Sequence, residues 1–185
     1  MNKKIFSLIC AVSCSLIWGT AFVAQDMGMD YIGPYTFSAV RLLLGFFTLL
    51  PFFFIFEFKK VKETKLSFEK IFIYLFLLGF FLAGGNIFQQ VSLLYTDVAY
   101  SAVFTVLYVV IVPIIAYFLF SKKIHNSVWP SVLMCLVGGL FLSELGNLRV
   151  RFGDSLVVVG AFFWAFHIVF ISKFLKIFNY PITIA

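Results

Sequence analysis

Apolar residues in this chain fall into long unbroken runs rather than into the three-in-seven stripe of a helix that turns one face to water. The runs extend from Ile5 to Ala24, Tyr35 to Phe56, Ile71 to Leu93, Ala99 to Phe120, Val128 to Ser143 and Ser155 to Phe174. A helix crosses a bilayer with ~20 mainly apolar residues, at a rise of about 1.5 Å each. The pattern therefore predicts about six transmembrane helices joined by short polar connectors, an all-α integral membrane fold. Lys3 and Lys4 ahead of the first run also fit a secretion signal, but a signal core is ~7–15 residues and this run is longer, so an uncleaved helix is the stronger reading.

Composition sharpens this picture. Of 185 residues, 63% are hydrophobic and 12% charged, and 27 are Phe. A soluble domain carries roughly 25% charged residues, so this chain lacks the surface to be one. Lipid is its expected solvent. The net charge of +6 does not point to nucleic acid, because the lysines sit in connectors and no basic-aromatic interleaving is present. Cys10, Cys14 and Cys135 are odd in number, lie within apolar runs and have no partner at metal-ligand spacing. They read as small packing residues; no metal and no cofactor is expected.

The lysines alternate with the runs. Lys3 and Lys4, then Lys59, Lys60, Lys62, Lys65 and Lys70, then Lys122 and Lys123, then Lys173 and Lys176 share one side of the membrane if each run spans. Asp26, Asp30, Asp97, Glu144 and Asp154 take the other, with Arg149 and Arg151. Cytoplasmic loops hold the excess of Lys and Arg, so the N-terminus of this multi-pass cell-membrane protein is predicted to be cytoplasmic. Small residues recur at four-residue spacing, at Ala11, Ser15 and Gly19, at Gly79 and Ala83, and at Ser131, Cys135 and Gly139, and predict helix-contact faces.

One internal repeat is visible. SLIWGTAFVAQDMG around Trp18 and GAFFWAFHIVFISKF around Trp164 each set a Trp and a small residue within a run, followed by a Tyr-containing connector and a proline, Pro34 or Pro181. Five runs separate the copies, so the second would insert upside down, as in inverted-repeat carriers. LIWGTAFVA with Trp18-Gly19, Pro34 followed by VRLLLG with Arg41, SLLYTDVAYSAVFTVLYVVIVPIIA ending past Pro113, VGGLFL, and GDSLVVVGAFFWAFHIVF resemble, in order, the EamA-type members of the drug/metabolite transporter superfamily. The resemblance implies a first five-helix unit over residues 1–145 and the first helix of an inverted second unit over 153–185. Proteins of this type have ten helices, so it also implies an N-terminal fragment, working with a missing C-terminal half or as a homodimer. Lys122 stands where the family commonly has an acid.

Several polar residues within the runs carry two readings each. Arg41 either snorkels outward to pair with Asp30 or Asp97, or meets an anionic group of a substrate. Asn86, Gln89 and Gln90 either bond neighbouring helices or line a polar cavity, with Asn86 and Gln90 on one face. Trp18 and Trp164 either flank a substrate or pack on small residues. His167 is either a proton carrier or a packing residue, with no membrane carboxylate to pair with. Asp97 is expected to cap the fourth helix and Pro113 to kink it. Trp18, Gly19, Arg41, Asn86, Gln90 and Trp164 form the candidate cavity. The function expected is a carrier of small metabolites or drug-like compounds by alternating access, in contact with lipid and a small-molecule substrate. A non-transporting scaffold or an inactive truncated transporter is the alternative. An enzyme is disfavoured, since no nucleophile or metal constellation is present: His125 lies in a connector and His167 stands alone.

Overall fold

The computed structural model describes residues 3–64, 66–121, 124–142 and 151–185. Its elements are helices α1 (Lys3–Met29), α2 (Pro34–Phe56), α3 (Phe58–Lys62), α4 (Phe68–Ser92), α5 (Val98–Thr105), α6 (Tyr108–Phe120), α7 (Val128–Leu142), α8 (Phe152–Ile177) and α9 (Pro181–Ile184). Helices α1, α2, α4 and α8, together with α5 and α6 as one path, are long and apolar enough to cross a membrane. The fifth apolar run is present as α7, of 15 residues. The chain is thus an all-α, multi-pass membrane protein. Ser143, the end of that run, and Lys65, Lys122, Lys123, Glu144 and Arg149 of the charge pattern lie outside the described residues, as does most of the junction expected between the two units.

Helix α8 is the structural centre. It packs most extensively against α4, then against α6 and α5. Ala161 and Ala165 are fully buried and Val157 nearly so. The phenylalanines explain themselves here: Phe81 stacks on Phe166 and Phe170, with centroids 5.2 and 5.5 Å apart, and Tyr74 stacks on Phe174 at 4.4 Å. Such pairs add ~0.5–1.5 kcal/mol beyond their buried area. By contrast, the apolar side chains of α1 and α2 are mostly exposed, the condition of helices bathed in lipid.

Close approach between helices is made at glycines other than those expected. A Cβ on Gly153 would stand 2.8 Å from the Ser92 carbonyl oxygen and from the Thr96 backbone, and one on Gly85 would stand 3.0 Å from Trp164 Nε1. Ala11, Ser15 and Gly19 are exposed, and a Cβ on Gly19 or Gly79 would meet nothing within 4 Å. Four-residue spacing marks a smooth stripe on a helix. It does not say whether a neighbour lies against it.

The fourth apolar run is continuous in direction but broken in hydrogen bonding. The N–H groups of Leu107, Val109 and Val110 each bond three residues back, at 2.9–3.1 Å, between α5 and α6. Pro113 sits inside α6, so the interruption falls more than one turn before it. At the end of α5 the Thr105 hydroxyl donates to the Ser101 carbonyl at 2.8 Å. At the end of α6 Ser121 adopts the left-handed conformation, φ 49°, and returns its N–H to Ala116.

Both ends of α8 are tied to earlier segments. At its start the Asp154 carboxylate, buried, accepts from the Thr96 hydroxyl at 2.5 Å and from the Arg151 N–H at 2.8 Å. Past its end, α9 is capped by Glu57, whose buried carboxylate accepts the N–H groups of Ile182 and Thr183 and the Thr183 hydroxyl at 2.6–3.0 Å. Tyr180 adds a bond to the Lys60 carbonyl.

Candidate functional site

Asn86, Gln89, Gln90 and Ser92 lie on the last two turns of α4 and face three neighbours. Gln89 donates to the Thr105 hydroxyl at 2.9 Å, and Ser92 shares a 3.2 Å hydrogen bond with Ser101 while donating to the Gln89 carbonyl. Together with the Thr105–Ser101 bond these contacts close a ring between α4 and α5. Gln90, fully buried, donates to the Gln25 carbonyl of α1 at 3.3 Å. Asn86 donates to the Leu82 carbonyl at 2.8 Å and accepts a hydrogen bond from Arg41 of α2. Amides in lipid need partners, and most of these find them on other helices.

Arg41 does not take either acid expected for it. Asp97 is occupied by Arg151, at 2.5 Å, and among the described residues no carboxylate lies within ion-pair distance of Arg41. Its guanidinium bonds Asn86 and stands 5.9 Å from the centre of the Phe37 ring. That pairing also corrects the expected capping role of Asp97: it occupies the cap position of α5, but its side chain makes no capping bond, because Arg151 draws it away.

Trp18 of α1 and Trp164 of α8 meet. Trp18 and Trp164 have ring centroids 5.6 Å apart, and Trp18 also stacks on Tyr108 at 6.5 Å. Trp164 lies against Gly85, one residue from Asn86, so the tryptophan pair and the amide cluster share one place. Gly19 is adjacent to Trp18 in sequence but touches nothing with its α-carbon face. His167 stands edge-on to Trp164 at 6.1 Å and its Nδ1 bonds the Leu78 carbonyl at 3.1 Å; a carbonyl only accepts, so Nδ1 carries the proton.

Four buried polar atoms have no hydrogen-bond partner among the described residues: Gln25 Oε1, Ser38 Oγ, Gln90 Oε1 and Trp164 Nε1. Each such group costs about 1–3 kcal/mol; Gln25 and Gln90 adjoin each other, and Trp164 lies against Gly85 of α4. Below Arg41 a groove of about 520 Å³ runs between α2, α4 and α9, lined by Phe46, Leu50, Phe53, Gly79, Leu82 and Thr183. No group of three or more His, Cys, Asp or Glu able to hold a metal occurs among the described residues.

Sequence reasoning missed Gln25, Ser38, Ser101 and Thr105. Gln25 lay one residue beyond the predicted end of the first run, whereas α1 continues to Met29. Ser101 and Thr105 offered a usable signal, two hydroxyls at helical spacing in an otherwise apolar run.

A bundle of apolar helices long enough to cross a membrane, with buried polar side chains hydrogen-bonded from one helix to the next, defines a multi-pass membrane protein. The chain belongs to the EamA-like transporter family, whose model matches residues 5–144. It is 29% identical over 177 residues to an uncharacterized transporter of Archaeoglobus fulgidus, covering 96% of this chain and 52% of that protein. It is 28% identical over 163 residues to the uncharacterized transporter YoaV of Bacillus subtilis, covering 86% of this chain and 54% of that protein. The chain thus spans about half the length of these curated relatives. No solved structure matches it.

Proposed function

We propose that this chain contributes one five-helix unit, and the start of an inverted second, to a carrier of small polar or amphipathic compounds. The observation that carries this reading is the contact of Trp18 with Trp164, which lies against Gly85 next to Asn86. Residues that an inverted repeat would relate meet there near the middle of their helices, the depth at which a carrier of this design binds its cargo. A solute offering an acceptor there would satisfy Trp164 Nε1. Rocking of the two units about this place would expose it to each side in turn. The second unit is supplied by sequence following residue 185 or by a second copy, and the N-terminus faces the cytoplasm of the cell membrane.

The test is solute movement in vesicles reconstituted with the protein, including whatever sequence flanks these residues in its gene, against a broad panel of labelled metabolites. The expected result is movement above that of empty vesicles for at least one compound class. Trp164→Ala is expected to lower that movement at least tenfold while helix content and yield are kept. No compound moving above background would favour a non-transporting membrane scaffold instead.

A further inference from the structure

Helix α3 lies where α2 ends and α4 begins, at the lysine-rich end of the spanning helices. It reads Phe-Lys-Lys-Val-Lys, and only Val61 turns inward, onto the cluster of Leu78, Phe174, Phe178 and Ile184. Lys59, Lys60 and Lys62 are exposed, as is Lys70 in the first turn of α4. Among the described residues no carboxylate lies within ion-pair distance of any of these four ammonium groups. Glu57, the buried acid beside them, is committed to α9. Their charge is therefore not balanced inside the protein.

Next to these lysines a groove of about 530 Å³ separates α3 from α4. Phe53, Phe58, Phe68 and Leu75 supply apolar walls, and Lys62, Thr64 and Thr183 supply its polar lining. Phe68, 81% exposed, is the first residue of the spanning helix α4, the kind of position at which aromatics anchor to lipid headgroups. Unbalanced cations at headgroup depth beside an apolar furrow match one kind of molecule in both parts.

We propose that the α2–α4 turn is a binding site for an anionic phospholipid, its phosphodiester held by Lys59, Lys60, Lys62 and Thr64 and an acyl chain laid along the furrow between Phe58 and Phe68. Juxtamembrane lysines each contribute modestly to attraction toward anionic lipid. The contributions of three lysines multiply in affinity, and the furrow adds selection for a lipid over a free phosphate. This site stands apart from the tryptophan and amide cluster and does not depend on transport.

Native mass spectrometry of the full chain in detergent, titrated with phosphatidylglycerol, phosphatidylcholine or glycerol phosphate, tests it. Phosphatidylglycerol is expected to stay bound while phosphatidylcholine is stripped and glycerol phosphate fails to compete at equal concentration. Lys62→Gln is expected to weaken the phosphatidylglycerol complex about 5-fold and the Lys59→Gln, Lys60→Gln, Lys62→Gln combination roughly 100-fold. Phe58→Ser is expected to weaken the lipid complex too, whereas Lys173→Gln with Lys176→Gln, on the same membrane face, leaves it unchanged. Equal retention of both lipids, full competition by glycerol phosphate, or an equal loss with Lys173 and Lys176 replaced would overturn the site. If the triple variant lacks helix content, Lys62→Gln decides alone: an unchanged affinity refutes the proposal.

Discussion

Gln89 and Thr105 hold each other from different helices; removing Thr105 strands the Gln89 amide, whereas removing Gln89 leaves the Thr105 hydroxyl on the Ser101 carbonyl. Thr105→Val alone should destabilise the chain by about 1–3 kcal/mol, the cost of an orphaned buried polar group, and Gln89→Leu by less. The double variant should recover part of that, with a coupling of ~0.6–1.7 kcal/mol, the range seen for interhelical bonds in lipid. A double-mutant cycle on reversible unfolding in detergent reads this directly, and a coupling of zero would remove the ring from the account. Arg41 belongs to the same scale. Arg41→Ala should abolish transport with folded protein retained if the guanidinium meets cargo, and should instead cost folded protein if its bond to Asn86 is structural. Which residues matter was partly legible beforehand: an amide or arginine within an apolar run announces itself. Their partners were not, because Asp97 turning to Arg151, and Arg41 to Asn86, depends on which helices are neighbours.

At the scale of elements, two glycines of similar appearance should behave differently. Gly153→Ala drives a methyl into the Ser92 carbonyl and Thr96 backbone, which cannot swing aside, and overpacking of this kind costs about 1–3 kcal/mol. Gly79→Ala adds a methyl in open space and should leave the unfolding temperature unchanged or raise it. Equal behaviour of the two in thermal unfolding would contradict the packing of α8 on the α4–α5 connection. Ser121→Gly should stabilise the end of α6 by about 1 kcal/mol by relieving its left-handed conformation. The elements themselves were largely readable, since apolar runs of spanning length leave little choice in lipid. Their ends were not: α1 outlasts its predicted run by five residues, Ala24 against Met29, because Gln25 is polar yet buried. Nor was the break at Val106–Leu107, which falls more than a turn ahead of Pro113, the visible breaker.

For the whole molecule, alternation of lysine-rich and acidic connectors predicts opposite sides of the bilayer for the α2–α4 turn and the α4–α5 connection. Single cysteines at Lys62 and at Asp97 in intact cells should therefore label from opposite faces with a membrane-impermeant reagent, Asp97 from outside. Labelling of both from one side would reverse the proposed architecture. The family and the multi-pass fold were both legible from ordered motifs and hydropathy. What could not be foreseen was that α8, first helix of the expected second unit, buries itself against α4 rather than standing apart.

The bond between Glu57 and α9 has a consequence for the order in which the chain is made. The carboxylate leaves the ribosome 126 residues before the Thr183 hydroxyl that will donate to it. At ~5–20 residues per second, that is a wait of roughly 6–25 s. Throughout it, α2 is already an apolar segment ready to insert, and its last acid has no peptide groups to clasp. Water or a headgroup must stand in until the later segment emerges, so a nascent chain halted before Pro181 would carry an open end that the finished one has shut.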